Sequence, residues 1–442
     1  MSRRGLGPDF GRLFTANLAS SLGDGIARTA APLLAVPLTG DALLVSGIAA
    51  LQMLPWLLFA IPAGIIIDGV DRRRALAISN TLRALLAVAL VVFSATGTLS
   101  IWSLYAVIFL YGIGETIYDG AIRAVVPSIL PKGDLPRANG RIEAGEMVVQ
   151  NFLSGPFTSL LFAVSVLIPL GVNAGAFALA AGLALMLPLA ASGRQFAAAS
   201  TEPREPWYRQ LADGFRFIFA SRMLVGLLVF STIGGISTSA ATAAYVLYLV
   251  DLLGLPEALF GVFLLSGAVG GIIGSLVAPA LKARFGTGVA MASANLVAAL
   301  AFVLMGVFPS IAMAAAGYAV SSLAILVWNV LVMSLRQSII PGRLLGRVHG
   351  SWRTILWGSM PIGSIIGGLL GRADLALPFI VGGGVSALAA VVGFRFISRL
   401  PDPEDVDNGD EPVGGRDDEG PPEPPGPDPD EDAGPTDPTV QQ

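Results

Sequence analysis

The strongest constraint on this chain is a succession of apolar runs, each long enough to cross a bilayer, with little between them. A membrane-spanning helix takes about 20 mostly apolar residues. Residues 12–38, 43–67, 75–96, 99–125, 138–165, 170–192, 223–250, 256–281, 287–308, 310–335, 346–370 and 375–397 each supply one. Twelve spans and their loops use up the first 400 of 442 residues and leave no room for a separate soluble domain. The first span carries Asp24 and Arg28 and is too long for a signal-peptide core, so it is read as retained. Charge is scarce and uneven. Only 13% of residues are charged, about half the share of a soluble domain. Residues 1–400 carry a net +10, and residues 401–442 a net −14 with 11 prolines. The body reads as membrane-embedded and the tail as a disordered, acidic, Pro-rich appendage that cannot bury a core.

The same composition excludes most catalytic chemistry. With no cysteine and one histidine, His349, there is no disulfide, thiolate nucleophile, iron–sulfur cluster or Cys/His zinc site. No metal or cofactor is expected, no nucleic acid, and no enzyme. Tyr118-Asp119, Asp24 and Pro279-Ala280-Leu281 do not follow the order of an intramembrane aspartyl protease. Twenty-five arginines against two lysines, in an Ala- and Gly-rich chain, fit a GC-rich bacterial genome and a multi-pass protein of the inner (plasma) membrane.

Basic loop residues set orientation. Twenty fall on one side, from Arg3 through Arg72, Arg73 and Arg74 to Arg336, Arg343, Arg347 and Arg399; Arg372 stands alone on the other. Both termini are therefore expected in the cytoplasm. Residues 1–192 form a first set of six spans and 223–400 a second. Between them, residues 193–222 make a linker in which Trp207, Leu211, Phe215 and Ile218 share one helical face. That face predicts an amphipathic helix lying on the membrane surface.

Two segments recur 210 residues apart. Gly64, Arg72 and Arg74 fall on Gly274, Lys282 and Arg284, and Ser128-Ile129-Leu130-Pro131 falls on Ser338-Ile339-Ile340-Pro341. Six spans separate the copies, which makes them parallel repeats. The fold class is thus an all-α membrane protein of two six-helix bundles.

The loop with Gly64, Asp68, Asp71, Arg72, Arg73 and Arg74 resembles the signature of the major facilitator superfamily, a glycine, an aspartate and a basic run. Here Gly69 replaces the usual basic residue and Asp71 the usual glycine. Ser20-Ser-Leu-Gly-Asp24-Gly, Leu135-Pro-Arg-Ala-Asn139-Gly and Leu345-Gly-Arg347-Val are similar to its bacterial exporter branch, which includes enterobactin and macrolide exporters. Gly155-Pro156 is similar to the kink of proton-driven drug antiporters. The resemblance implies two bundles rocking about a central cavity, with the first, fourth, seventh and tenth spans lining it. It also implies a cytoplasmic gate in which Asp68 locks the bundles together when the cavity faces outward. The second copy has Ala278 where that acid would stand.

Intramembrane charges mark either function or a specific partner. Asn17, Ser21, Asp24 and Arg28 form one stripe on the first helix, and Tyr111, Glu115, Asp119 and Arg123 another on the fourth. Asp24 is read either as a salt-bridge partner of Arg28 one turn away or as a proton-coupling carboxylate. Glu115 and Asp119 repel unless a proton or a cation intervenes. Glu143 and Glu146 belong either to the cytoplasmic gate, with Asp68, Arg72 and Arg74, or to transport. Arg83 and Arg353 are the expected partners of these acids. In the second half the cavity residues implied are Thr238, Thr242, Tyr245, Trp328 and Asn329, facing Asn17 and Tyr111 in the first. Such a cavity suits a bulky amphipathic ligand, with a cationic one in view. His349 is read as a structural residue or a proton relay.

The function implied is export of a small amphipathic compound (drug, siderophore or secondary metabolite) by proton antiport with alternating access. Its partners are the substrate, protons and the bilayer, with a monomeric chain. Two other readings stay open: a proton-coupled importer of the same fold, and a non-transporting membrane protein recruiting a partner through its acidic tail.

Overall fold

The computed structural model describes residues 6–192 and 207–406, and every regular element among them is helical. The long helices of the first half are α1 (Pro8–Ala35), α2 (Ala42–Gly69), α3 (Arg72–Ala95), α4 (Ile101–Ile129), α5 (Leu135–Glu146), α6 (Ser154–Val164) and α7 (Leu167–Leu185). The second half holds α8 (Trp207–Ala220), α9 (Arg222–Thr242), α10 (Phe260–Phe285), α11 (Thr287–Val307), α12 (Ile311–Ile339), α13 (Gly342–Ala373) and α14 (Leu377–Ile397). Eleven stretches are long and apolar enough to cross a membrane, α5 and α6 counting as one. The remaining long helix is α1, whose 28 residues reach about 42 Å at 1.5 Å per residue but carry the polar stripe.

Helix entrances are closed by side-chain oxygens, which accept amide protons that have no partner within the first turn. Asp41 accepts from the Leu43 amide, Asp71 from Arg73 and Ser100 from Ser103; Ser221 and Ser310 do the same for α9 and α12. The span expected at 138–165 is interrupted by a π-helical stretch, Met147–Leu153. Pro156 has no amide to continue the α register, and upstream the Ser154 amide and hydroxyl both donate to the Val149 carbonyl. The seventh span likewise breaks after Thr242 and ends in a π turn, Tyr248–Leu252.

The halves are packed alike. In the first, α1 contacts α6 and α7, α3 contacts α4 and α7, and α2 contacts α4. In the second, α9 contacts α13 and α14, α11 contacts α12 and α14, and α10 contacts α12. The halves meet along two seams, α2 on α13 and α6 on α10. Both seams are tight at the end holding residues 36–41. A side chain at Gly261 would collide with the Gly155 carbonyl, and one at Gly368 with Ser46. Here Gly261 donates its amide to Ser159 Oγ at 3.1 Å. Arg372 holds Asp41 with two bonds, Nε to Oδ1 at 2.7 Å and Nη2 to Oδ2 at 2.6 Å. Toward the opposite end Gly346 and Gly350 of α13 and Gly140 of α5 face open space, and Arg123 and Glu143 are exposed.

The helix expected on the membrane surface is present but packs on protein. Ile218 of α8 is buried, the backbone at Gly214 lies against the Arg347 carbonyl, and Asp213 accepts from Arg347 Nη1 at 2.9 Å. Within its apolar stripe Ile218 is buried, while Leu211 and Phe215 are half-buried; the helix packs against α13. The start of the tail also docks. Asp402 accepts from the Thr287 amide at 2.7 Å and its hydroxyl at 2.5 Å, and Glu404 takes Lys282 Nζ at 2.5 Å. The rest of the tail, 407–442, lies outside the described residues.

The Asp41–Arg372 pair gives a direct test of the closed end. Arg372 and the Leu43 amide hold the Asp41 carboxyl down at about 2, below its ordinary 3.8. A depressed carboxyl contributes stability above its unfolded pKa and loses it as pH falls through the folded value. The closed end is therefore expected to be unchanged between pH 7 and 5 and to weaken only below about pH 4. The chain has no cysteine, so a single Ser46→Cys at the buried seam reports opening. It is expected to resist a membrane-impermeant maleimide in the parent chain and to react in the Asp41→Asn background. Equal labelling in both would show that the pair does not hold this end shut.

Candidate functional site

Between the halves lies a central cavity of two adjoining lobes, of about 460 and 600 Å³. Arg123, Arg353, Trp357 and Met360 border both. The first lobe is walled by α1, α2, α4 and α13 and holds Asp24, Arg28, Tyr111, Glu115, Asp119 and Glu146. The second is walled by α9, α11, α12 and α13, with Thr238, Trp328, Asn329, Met333 and Arg336 among its residues.

The charges of the first lobe pair across helices. Arg83 of α3 is fully buried and donates to Asp24 Oδ1 at 2.7 Å, Ser20 Oγ at 3.0 Å and Asn80 Oδ1 at 2.5 Å. Its guanidinium lies 4.8 Å from the Tyr118 ring centre and 4.6 Å from that of Phe177, an arrangement in which both π faces add to the carboxylate. The expected Asp24–Arg28 pair does not form. Arg28 instead reaches Glu115 Oε1 at 2.7 Å, joining α1 to α4. Nor does Arg353 pair with an acid: its guanidinium stacks 4.1 Å over Trp357 and 5.8 Å from Trp56. Asp119 faces the lobe with no hydrogen bond or ion pair among the described residues.

Other expected cavity residues are elsewhere. Asn17 is buried between helices, donating to Glu146 Oε1 at 2.9 Å and accepting from the Tyr118 hydroxyl at 3.0 Å. Thr242 donates to the Thr238 carbonyl and does not line the cavity. Tyr245 lies in an aromatic cluster with Tyr248, Phe263, Tyr318 and Phe379. The break after Thr242 rotates that segment away from the α9 stripe. Tyr111 does line the cavity, and its hydroxyl donates to Asn173 Oδ1 at 2.9 Å.

At the open end the bonds described for the expected gate residues lie within the first half. Arg72 donates to the Ala124 carbonyl at 2.8 Å and to Ser128 Oγ at 3.2 Å, tying α3 to α4. Arg74 and Glu143 are exposed, and the Asp68 side chain lies outside the described residues.

One charged side chain bordering the cavity was not anticipated. Arg336, counted with the loop arginines, sits inside α12 and is only 5% exposed. It stacks 4.0 Å over Trp352, and its Nη2 meets His349 Nδ1 at 3.3 Å. Its place one turn beyond Met333, and seven residues beyond Asn329, is the spacing that reveals it.

Paired helical halves about a charged cavity are the architecture that the family comparison then identifies. Residues 8–412 match the transmembrane secretion effector family, and the chain belongs to that family of the major facilitator superfamily; it is a transporter and not an enzyme. It is 26% identical over 397 residues to the multidrug efflux pump Tap of Mycobacterium tuberculosis, covering 85% of this chain and 92% of that one. Macrolide efflux protein A of Streptococcus pyogenes is 22% identical over 342 residues, covering 75% and 81%. The enterobactin exporter EntS of Escherichia coli is 31% identical over 153 residues, 34% of this chain and 36% of that one. The solved bacterial homologue of the iron transporter ferroportin superposes with a TM-score of 0.72 at 17% identity, over 90% of this chain and 100% of that one. The nucleoside transporter NupG gives 0.68 at 15%, over 89% and 100%; both likenesses bear on the fold alone.

Removing one partner of a buried ion pair leaves the other charge uncompensated, at a cost of about 3–5 kcal/mol. Asp24→Asn is therefore expected to lower the thermal unfolding midpoint sharply in detergent, and Asp24→Asn with Arg83→Gln to recover part of the loss. A single variant as stable as the parent would mean that Asp24 is not what compensates Arg83.

Proposed function

We propose that the protein exports a small amphipathic compound from a bacterial cell in exchange for protons, by alternating access. The observation that carries this reading is a cavity closed at one end, open at the other, and lined with ionisable carboxylates of which Asp119 makes no hydrogen bond or ion pair among the described residues. On this reading α1 crosses the membrane with the eleven apolar stretches, giving twelve spans. Residues 1–192 and 223–400 are the two bundles, 193–222 the linker and 401–442 the tail. On the same reading both termini, and with them the open end, lie in the cytoplasm and the chain is a plasma-membrane monomer; the orientation is supported by nineteen basic loop residues against one once Arg336 is set inside α12.

The cycle follows from which contacts must change. Opening outward breaks the Asp41–Arg372 pair and the two glycine-lined seams. Closing inward brings the open ends together, where Asp68, Arg72, Arg74, Glu143 and Glu146 supply charge for new contacts. Asp119 and Glu115 stand one turn apart on α4, so a proton taken up outside relieves their repulsion and is released inside. Asp24, held by Arg83, transmits the movement of α1 to α3 and α4 rather than carrying the proton. Each inward charge is worth about 2.3 kcal/mol per 100 mV. The efflux relatives, named for multidrug, macrolide and enterobactin export, support the direction.

The test is flux from proteoliposomes across a panel of amphipathic compounds, with and without an imposed proton gradient. Asp119→Asn is expected to abolish acceleration by the gradient while leaving gradient-free exchange. Gradient-driven flux that survives in Asp119→Asn would move the proton site elsewhere. Flux toward the liposome side that mimics the cytoplasm would reverse the direction.

A further inference from the structure

The second lobe differs from the first in the sign of its charge. It is bordered by Arg123, Arg336, His349 and Arg353 and, among the described residues, by no acidic side chain. The first lobe has Asp24, Glu115, Asp119 and Glu146 on its wall. Arg336 is the informative member. A buried arginine is ordinarily matched by a carboxylate, because an uncompensated charge in low dielectric is expensive. No carboxylate lies within ion-pair distance of Arg336 among the described residues, and its Nε has no hydrogen-bond partner. Its one polar contact, His349 Nδ1, is met by a guanidinium that only donates; that nitrogen is therefore the acceptor, and the imidazole is neutral with its proton on Nε2. Trp352 beneath the guanidinium supplies a π face but no negative charge. Arg353, one turn beyond His349 on the same wall of α13, likewise makes no ion pair among the described residues and stacks on Trp357, with Asp119 of the first lobe attracting it only at a distance.

We infer that the second lobe is an anion site: the transported compound presents an acidic group to Arg336 and Arg353, with its apolar body on Trp328, Trp352 and Trp357. This rests on the transporter reading of the cavity and narrows it, from an amphipathic ligand with a cationic one in view to an amphipathic anion. A carboxylate or sulfonate there completes the charge balance that the protein leaves open, and guanidinium groups already stacked on tryptophan are held ready for it. Aromatic flanks on both sides select an anion carried on a planar or bulky apolar frame over a small inorganic one.

The full-length protein, purified in detergent, is titrated with two probes of one fluorophore and opposite charge: dansylglycine, an anion, and dansylcadaverine, a cation. Sensitised emission from the lobe's tryptophans reports binding. Dansylglycine is expected to bind the parent chain at least about ten-fold more tightly than dansylcadaverine. Arg336→Gln is expected to remove that preference and Arg336→Lys to retain part of it. Because Arg336→Gln also disturbs packing, Met333→Glu provides a second variant. It sets a carboxylate one turn from Arg336, and is expected to abolish dansylglycine binding while raising the thermal midpoint.

Equal or tighter binding of the cation, or an unchanged preference in both variants, would overturn the inference. So would full displacement of dansylglycine when the protein is moved into nanodiscs containing phosphatidylglycerol, since the site would then belong to a lipid headgroup. Flux separates the two readings. Arg336-dependent binding of dansylglycine without transport keeps the anion site and removes the exporter, whereas outward transport of dansylcadaverine without anion binding does the reverse.

Discussion

A fully buried arginine sets the architecture of the first half. Arg83 has no access to water, and the free energy of placing its charge there is recovered only if a carboxylate, two neutral acceptors and two ring faces converge on it. Those groups come from α1, α3, α4 and α7, so satisfying one guanidinium fixes four helices relative to one another. In hydrocarbon there is no general apolar driving force to do this. Asp24 is the member of the network that also reaches the cavity, which ties the position of α1 to the contents of the first lobe.

The two halves are alike in packing but not in how their inner loops are finished. In the first, Asp71 caps α3 and binds Arg73 at 2.9 Å. In the second, the equivalent helix α11 begins at Gly286 with a positive φ of 77° and no capping side chain of its own. Asp402, from beyond the last helix, supplies the missing acceptor to Thr287, and the two Thr287 bonds hold its carboxyl below the usual range. Glu404 beside it neutralises Lys282, the repeat counterpart of Arg72. The start of the acidic tail is thus part of the folded second half. A deletion after Leu400 removes a helix cap as well as an appendage.

Hydropathy made the spans legible, because a bilayer imposes a length and a composition that survive in any sequence able to cross it. The polar stripes on the first and fourth helices were legible for the same reason: periodicity assigns residues to a face. Partners were not. Asp24 and Arg28 share a face at the favoured spacing, yet each bonds to a residue on another helix, 59 and 87 positions away. Which helix lies opposite depends on packing that no local pattern encodes. Arg336 was hidden by its nearness to a helix end, where an arginine reads as a topological signal. Asn17, Thr242 and Tyr245 show the complementary error: a stripe identifies a buried face, and a buried face meets either a cavity or a neighbour. For Tyr245 the break in the helix after Thr242 adds a rotation that spacing alone does not contain.

The opposition of the two lobes bears on how such a pump is driven. A monovalent cation leaving the cell in exchange for one proton is electrically silent and is driven by the pH difference alone; the inside-negative potential helps only when more than one proton enters. An anion leaving and a proton entering both move charge in the favourable sense, each contributing about 2.3 kcal/mol per 100 mV. The separation of functions across the cavity follows from that arithmetic. On the proposed cycle the carboxylates of the first lobe take the protons, and Arg336 and Arg353 of the second half, with Arg123 beside them, take an acidic cargo. Among the described residues, Arg123 and Arg353 are the charged side chains that border both lobes, which on the same reading makes them the groups through which occupancy of one is felt electrostatically in the other.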